Sequence, residues 1–143
     1  MNVATRAIPN RRLNTMILLF ATVTVFAVAF IPGKHYDVTS ATVQQARGLI
    51  DSVAVFVDVR NEEAFKKRHI PDALLIPVAV LRTAIPNSLA DAKAKPVVVY
   101  CGEVASIGPE GTFLLNQAGY AKAVNLKSGI AGRARAGLPV QGK

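Results

Sequence analysis

Two short runs decide most of what this chain can fold into. "AVFVDV", residues 54–59, and "PVVVY", residues 96–100, are nearly continuous apolar stretches rich in β-branched side chains. A strand with one wet face alternates apolar and polar residues. A run without alternation reads as a strand covered on both faces, the habit of parallel sheets in α/β proteins. Around these runs lie segments of helical character. Val43, Ala46, Leu49 and Ile50 share a helix face that Thr39 or Ser40 can cap, after a short extended lead-in at Tyr36-Asp37-Val38, and Asp51-Ser52 breaks the pattern. Asn61 can cap "EEAFKKR", with Glu62 and Glu63 near its positive end and Lys66 to Arg68 near its negative end. "LLIPV", 74–78, is a brief strand candidate interrupted by Pro77, and a weak helical stretch covers about 87–93. Pro109 suits the first position of a helix running to Ala118 and stopped at Gly119. "KAVNL" then reads as a strand and "SGIAGRARAG" as a last short helix. Strands alternating with helices on this scale predict an α/β domain with a largely parallel sheet.

The 143 residues suffice for one domain with a real core and not for two ordinary ones. Residues 13–33 carry no charge, which matches the roughly 20 residues that span a bilayer as a helix. The expected organisation is a basic N-terminus at 1–12, a transmembrane anchor at 13–33 and a folded domain at 34–143. A cleaved secretory signal ending near Ala29 is the alternative, since Ala27-Val28-Ala29 offers a small-residue site. The apolar run continues past that site through Phe30 and Ile31, which favours the uncleaved anchor. Arg6, Arg11 and Arg12 precede the stretch, and the first cations after it are Lys34 and then Arg47. The positive-inside bias therefore puts the N-terminus in the cytoplasm and the domain outside, on the periplasmic face if the cell is bacterial.

The net charge of +8 includes those three arginines; beyond them 14 Lys and Arg stand against all nine Asp and Glu. The charges are interspersed, and Lys66-Lys67-Arg68, the densest cluster, has no aromatic ladder beside it. That pattern is a solvated helix face and argues against nucleic-acid binding. One cysteine and two separated histidines, His35 and His69, leave no metal-ligand set, and no cofactor is implied.

Cys101 closes the second apolar run, at the carboxyl end of a strand and just before a loop that feeds a helix. Ligands of open parallel sheets gather at such ends. Backbone N–H groups of the loop and of the first helical turn would face an anion held there, and the same positive end favours thiolate over thiol. Free cysteine is also among the most buried residue types, so a nucleophile and a small core filler both fit the spacing.

Three blocks then carry a family resemblance. "DVRNEEAFKKRHIPDALLIP", 58–77, resembles the first signature of the rhodanese-like domain, with Asp58, Arg60, Phe65, His69, Ile70, Pro71 and Ala73 at matching places. "PVVVYC" resembles that family's strand and catalytic cysteine, and "LLNQAGYAKAVNLKSGIAGRARAGLPV", 114–140, its closing segment. The resemblance covers about 36–141, with the blocks in the right order. It implies a five-stranded parallel sheet flanked by helices. It also implies a sulfurtransferase in which Cys101 takes sulfane sulfur from a donor such as thiosulfate, carries it as a persulfide and passes it to cyanide or a thiol. The loop Gly102, Glu103, Val104, Ala105, Ser106, Ile107 and Gly108 would hold the persulfide; Asp58, Arg60 and His69 would be structural. No particular protein acceptor of the sulfur is indicated.

The loop departs from the family pattern. Val104 stands where glycine is usual, Glu103 brings a negative charge, and no arginine is present. A catalytically weak or inactive binding module is therefore the second reading. The phosphatases and arsenate reductases that share the fold need an arginine six positions after the cysteine, where this chain has Ile107, so that third reading is disfavoured. Gly132-Arg133 occupies the part of the closing segment where an aromatic is usual.

Overall fold

A computed structural model describes residues 34–50, 53–103 and 107–143. His35–Lys143 form one compact unit. The uncharged stretch at 13–33, and with it the expected anchor, lies outside the described residues. Among those that are described, no helix is long and apolar enough to cross a membrane.

The expected parallel sheet is present. Its strands are β1 (Ser40–Ala41), β2 (Val55–Asp58), β3 (Leu74–Leu75), β4 (Val97–Tyr100) and β5 (Ala123–Leu126), in the order β1-β5-β4-β2-β3. Every pairing is parallel, with Asp58 opposite Tyr100 and Val99 opposite Asn125. β4 is central, and all four of its residues are buried. This is what the unbroken apolar run required. Val97, Val99 and Cys101 face one way, into a core with Leu81, Leu89 and Leu115. Val98 and Tyr100 face the other way, toward Val43, Phe56, Ile70 and Ile130. Helices α1 (Val43–Ile50), α2 (Glu62–Lys67), α3 (Val78–Leu81), α4 (Ile107–Gln117) and α5 (Gly129–Arg135) surround the sheet, with a 3-10 turn at Asn87–Ala92.

Four local expectations are corrected. The first strand is Ser40–Ala41 rather than an extension at Tyr36–Val38, because it adds to the edge of β5. The cap of α1 is Thr42, not Thr39 or Ser40. Its Oγ1 accepts from the Gln45 N–H at 3.2 Å, and Gln45 Oε1 accepts from the Thr42 N–H at 2.9 Å, a reciprocal capping box. "LLIPV" is strand only at Leu74–Leu75; Pro77 then precedes the short helix α3, its fixed φ suiting the approach to a first turn. Helix α4 starts two residues before Pro109, at Ile107. Proline is tolerated there because the N–H groups of a first turn have no intrahelical partner.

Candidate active site

The site is assembled from the carboxyl ends of adjacent strands and the amino ends of two helices. Cys101 follows β4 directly and is only 3% exposed. On one side the first turn of α5 holds the backbone around it: the Ile130 N–H donates to the Cys101 carbonyl at 3.0 Å, and the Ala131 N–H to the Gly102 carbonyl at 3.1 Å. Gly129 makes this approach possible. Its φ is +53°, and a Cβ on it would stand 2.6 Å from the Cys101 carbonyl oxygen and closer still to that of Gly102. On the other side stands Gly108, in the first turn of α4; a Cβ there would be 3.1 Å from Cys101 Sγ and 2.7 Å from Asn125 Oδ1.

Asp58, at the end of β2, is fully buried, and its charge is met by Arg60. Nε and Nη2 of Arg60 donate to the two carboxylate oxygens at 2.9 and 2.6 Å, and the Arg60 backbone N–H donates to Oδ1 at 3.0 Å. Nη2 also donates to the Arg68 carbonyl at 2.6 Å, tying the far end of α2 to the strand end. Burial lowers the pKa of Arg60, but the hydrogen bonds and charge of Asp58 outweigh it, with smaller contributions from Tyr100 and Cys101, so it ends raised. Arg60 thus lies within electrostatic reach of the sulfur. The Tyr100 hydroxyl accepts from the Ile70 N–H at 3.0 Å. Burial, with the nearby charge of Asp58, pushes its pKa well above the ordinary tyrosine value.

His69 is half-buried, stacked on Phe65 at 4.1 Å between ring centroids, with its Nδ1–H donated to the Phe65 carbonyl at 2.9 Å. Its backbone pairs with Gln141. It is not among the groups around Cys101. Among the described residues, no cluster of three or more His, Cys, Asp or Glu could hold a metal ion.

Of the loop, Gly102, Glu103, Ile107 and Gly108 are described; Val104, Ala105 and Ser106 are not. Glu103 is not an isolated negative charge: its carboxylate pairs with Arg135, near the end of α5. Beside the loop runs a groove of about 380 Å³, lined by Arg60, Lys67, Arg68, Gly102, Glu103 and Ala131. A larger depression of about 510 Å³ lies between α1 and α5 and shares only Glu103 with it.

Two residues whose position the sequence did not explain belong to this neighbourhood. Asn125, on β5, brings its Oδ1 within 2.7 Å of the spot a Cβ on Gly108 would occupy. Arg133, in the segment where the family usually has an aromatic, is only 6% exposed; its guanidinium lies over the Phe56 ring at 5.5 Å, and Nε donates to the Pro139 carbonyl at 3.0 Å. A planar cation stacked on an aromatic fills that position. Burial lowers its pKa.

Comparison with known proteins agrees with this architecture. Residues 42–136 match the rhodanese-like domain. The chain belongs to the rhodanese-like domain family. A sulfurtransferase of Allochromatium vinosum is 34% identical over 87 residues, covering 60% of this chain and 77% of that protein. The thiosulfate sulfurtransferase GlpE of Pseudomonas syringae is 34% identical over 74 residues, covering 52% and 67%. Among solved structures, the rhodanese-like domain of an Anabaena protein superposes with a TM-score of 0.61 at 20% identity, over 73% of this chain and 79% of that one. At that identity the likeness speaks for the fold. The rhodanese-like fold accounts for the five-stranded parallel sheet with Cys101 at the end of its central strand.

Proposed function

We propose that this chain is a sulfurtransferase in which Cys101 carries sulfane sulfur. One observation carries the reading. The sole cysteine stands at the carboxyl end of the central strand, with the backbone around it fixed by α5 and the first turn of α4 brought against its sulfur by a glycine. The Cys101 thiolate attacks the outer sulfur of thiosulfate. A Cys101–sulfur bond forms, the sulfur–sulfur bond of thiosulfate breaks, and its electron pair leaves with sulfite. Cyanide or a thiolate then attacks the outer sulfur of the persulfide, releasing thiocyanate or a new persulfide and regenerating the thiolate. Backbone N–H groups of the 102–108 loop stabilise the anion at both stages.

The burial of Cys101 favours a second reading, a binding module without turnover. Incubation of the full chain with thiosulfate, followed by mass spectrometry and a thiocyanate assay with cyanide, separates the two. The expected result is one added sulfur on Cys101 and thiocyanate release that Cys101→Ser abolishes. Equal inactivity of wild type and Cys101→Ser with thiosulfate and with organic persulfide donors would leave only the binding module. Phosphatase or arsenate chemistry has no support: Ile107, where an arginine would be needed, is the first residue of α4.

The uncharged 13–33 stretch and its flanking arginines support an anchor that leaves the domain outside the membrane.

A further inference from the structure

Among the described residues, one buried side-chain oxygen lacks a hydrogen-bond partner: Oδ1 of Asn125. Asn125 is 6% exposed. It shares its face of the sheet with Val97, Val99 and Ala123, all apolar core residues. Its Nδ2 reaches only Ser40 Oγ, at a long 3.4 Å. Buried polar groups in folded proteins are nearly always paired, so an amide among valines needs a reason.

The reason lies at Gly108. The spot a Cβ would occupy there is 2.7 Å from Asn125 Oδ1 and 3.1 Å from Cys101 Sγ. The amide end and the sulfur converge on the space that glycine leaves open. The two ends of an amide are related by a half-turn, and the hydrogen-bond network decides between them. Turned over, the amide gives Ser40 an oxygen acceptor and presents Nδ2–H on the sulfur side. We propose that Asn125 positions the reactive sulfur, its Nδ2–H donating to the Cys101 thiolate and to the inner sulfur of the persulfide, while Oδ1 accepts the Ser40 hydroxyl. The persulfide half rests on the sulfur-carrier reading above; the thiolate half needs only the Cys101 geometry. The requirement for glycine at 108 follows, because a methyl group there would crowd the Asn125 amide at 2.7 Å and the Cys101 sulfur at 3.1 Å.

The single cysteine gives an unambiguous probe, the pH dependence of alkylation of the full chain by iodoacetamide. A donated N–H favours the thiolate, so its removal raises the midpoint. Asn125→Leu, similar in size, and Asn125→Val, smaller, both uncharged and without N–H donors, are expected to raise it by about one pH unit and to slow alkylation several-fold at pH 7. Neither variant touches Asp58 and Arg60 on the β2 side, or the Glu103–Arg135 pair on the loop and α5, the charged groups facing this region. An unchanged midpoint in either folded variant overturns the proposal. Should both variants unfold, the wild type decides. The side-chain NH2 resonances of Asn125 must titrate in step with the thiol, and resonances that stay fixed through its titration overturn the proposal. Alkylation needs no sulfur donor, so these outcomes are independent of whether the enzyme turns over.

Discussion

Asp58 has no solvent contact, and Arg60 meets its carboxylate with two side-chain hydrogen bonds. Neutralising one partner leaves the other poorly solvated, and breaking a buried pair costs on the order of 3 kcal/mol. Asp58→Asn is therefore expected to lower stability by about 3 kcal/mol in urea unfolding, with an unchanged denaturant slope. Tyr100 supplies a pH-dependent counterpart. Its folded pKa lies above that of the unfolded chain, so the neutral hydroxyl stabilises the fold fully below about pH 10. Above that pH the unfolded tyrosine ionises first, and stability falls by up to about 1.4 kcal/mol per pH unit until the folded pKa is reached. Urea titrations between pH 9 and 11.5 check this: Tyr100→Phe should be less stable at neutral pH, having orphaned the Ile70 N–H, and should decline less steeply than wild type above pH 10. At this scale Asp58 and Arg60 were legible because two charges at the end of an apolar run call for each other. Arg133 and Asn125 were not, since their surroundings come from chain segments distant in sequence: Phe56 for one, Ser40 and Cys101 for the other.

The elements followed the sequence where burial alone decides. β2 and β4 sit within the two unbroken apolar runs, and α2 starts at the expected Asn61 cap, whose Oδ1 accepts from the Ala64 N–H at 2.9 Å. Edges and short helices were less legible. β3 lies within the expected 74–78 run but stops at Leu75, and β1, two residues long, owes its strand character to pairing with β5, which no local pattern announces. The Thr42–Gln45 capping box was readable as Thr-x-x-Gln, but the more N-terminal hydroxyls at Thr39 and Ser40 competed for the role. The half of the site contributed by helices was also hidden, because a family signature places Cys101 without saying what holds its carbonyl. That anchor is the start of α5, and Gly129→Ala tests it. The substitution places a Cβ against two carbonyls at a φ of +53°, so the helix must shift away from the loop. Such strain costs of order 2 kcal/mol. Thermal unfolding should report a lower midpoint, and at a temperature where the variant remains folded, persulfide formation on Cys101 should fall at least tenfold. Full activity in the folded variant would show that α5 does not fix the loop.

Across the whole molecule, chain order and sheet order differ in a way that builds the site. β4 is fourth in sequence but central in space, between β5 and β2. Because all strands run parallel, their carboxyl ends bring Cys101, Asn125 and the Asp58–Arg60 pair to one edge of the sheet. The two faces are covered by separate apolar clusters, so the chemistry is confined to that edge and the remaining surface is free to be polar. An anchor at 13–33 would act on location, setting which pool of sulfur donors and acceptors the proposed enzyme meets. With Arg6, Arg11 and Arg12 before the stretch, the positive-inside bias predicts the outward orientation proposed above. In bacterial cells producing the full chain, added protease should degrade residues 34–143 in spheroplasts as readily as in detergent-lysed controls, while a cytoplasmic marker survives until lysis. The membrane fraction should retain the chain through a high-salt wash, and a variant in which Leu18 and Val25 are both replaced by arginine should not be retained. A domain protected in spheroplasts reverses the orientation, and a wild-type chain washed free by salt removes the anchor.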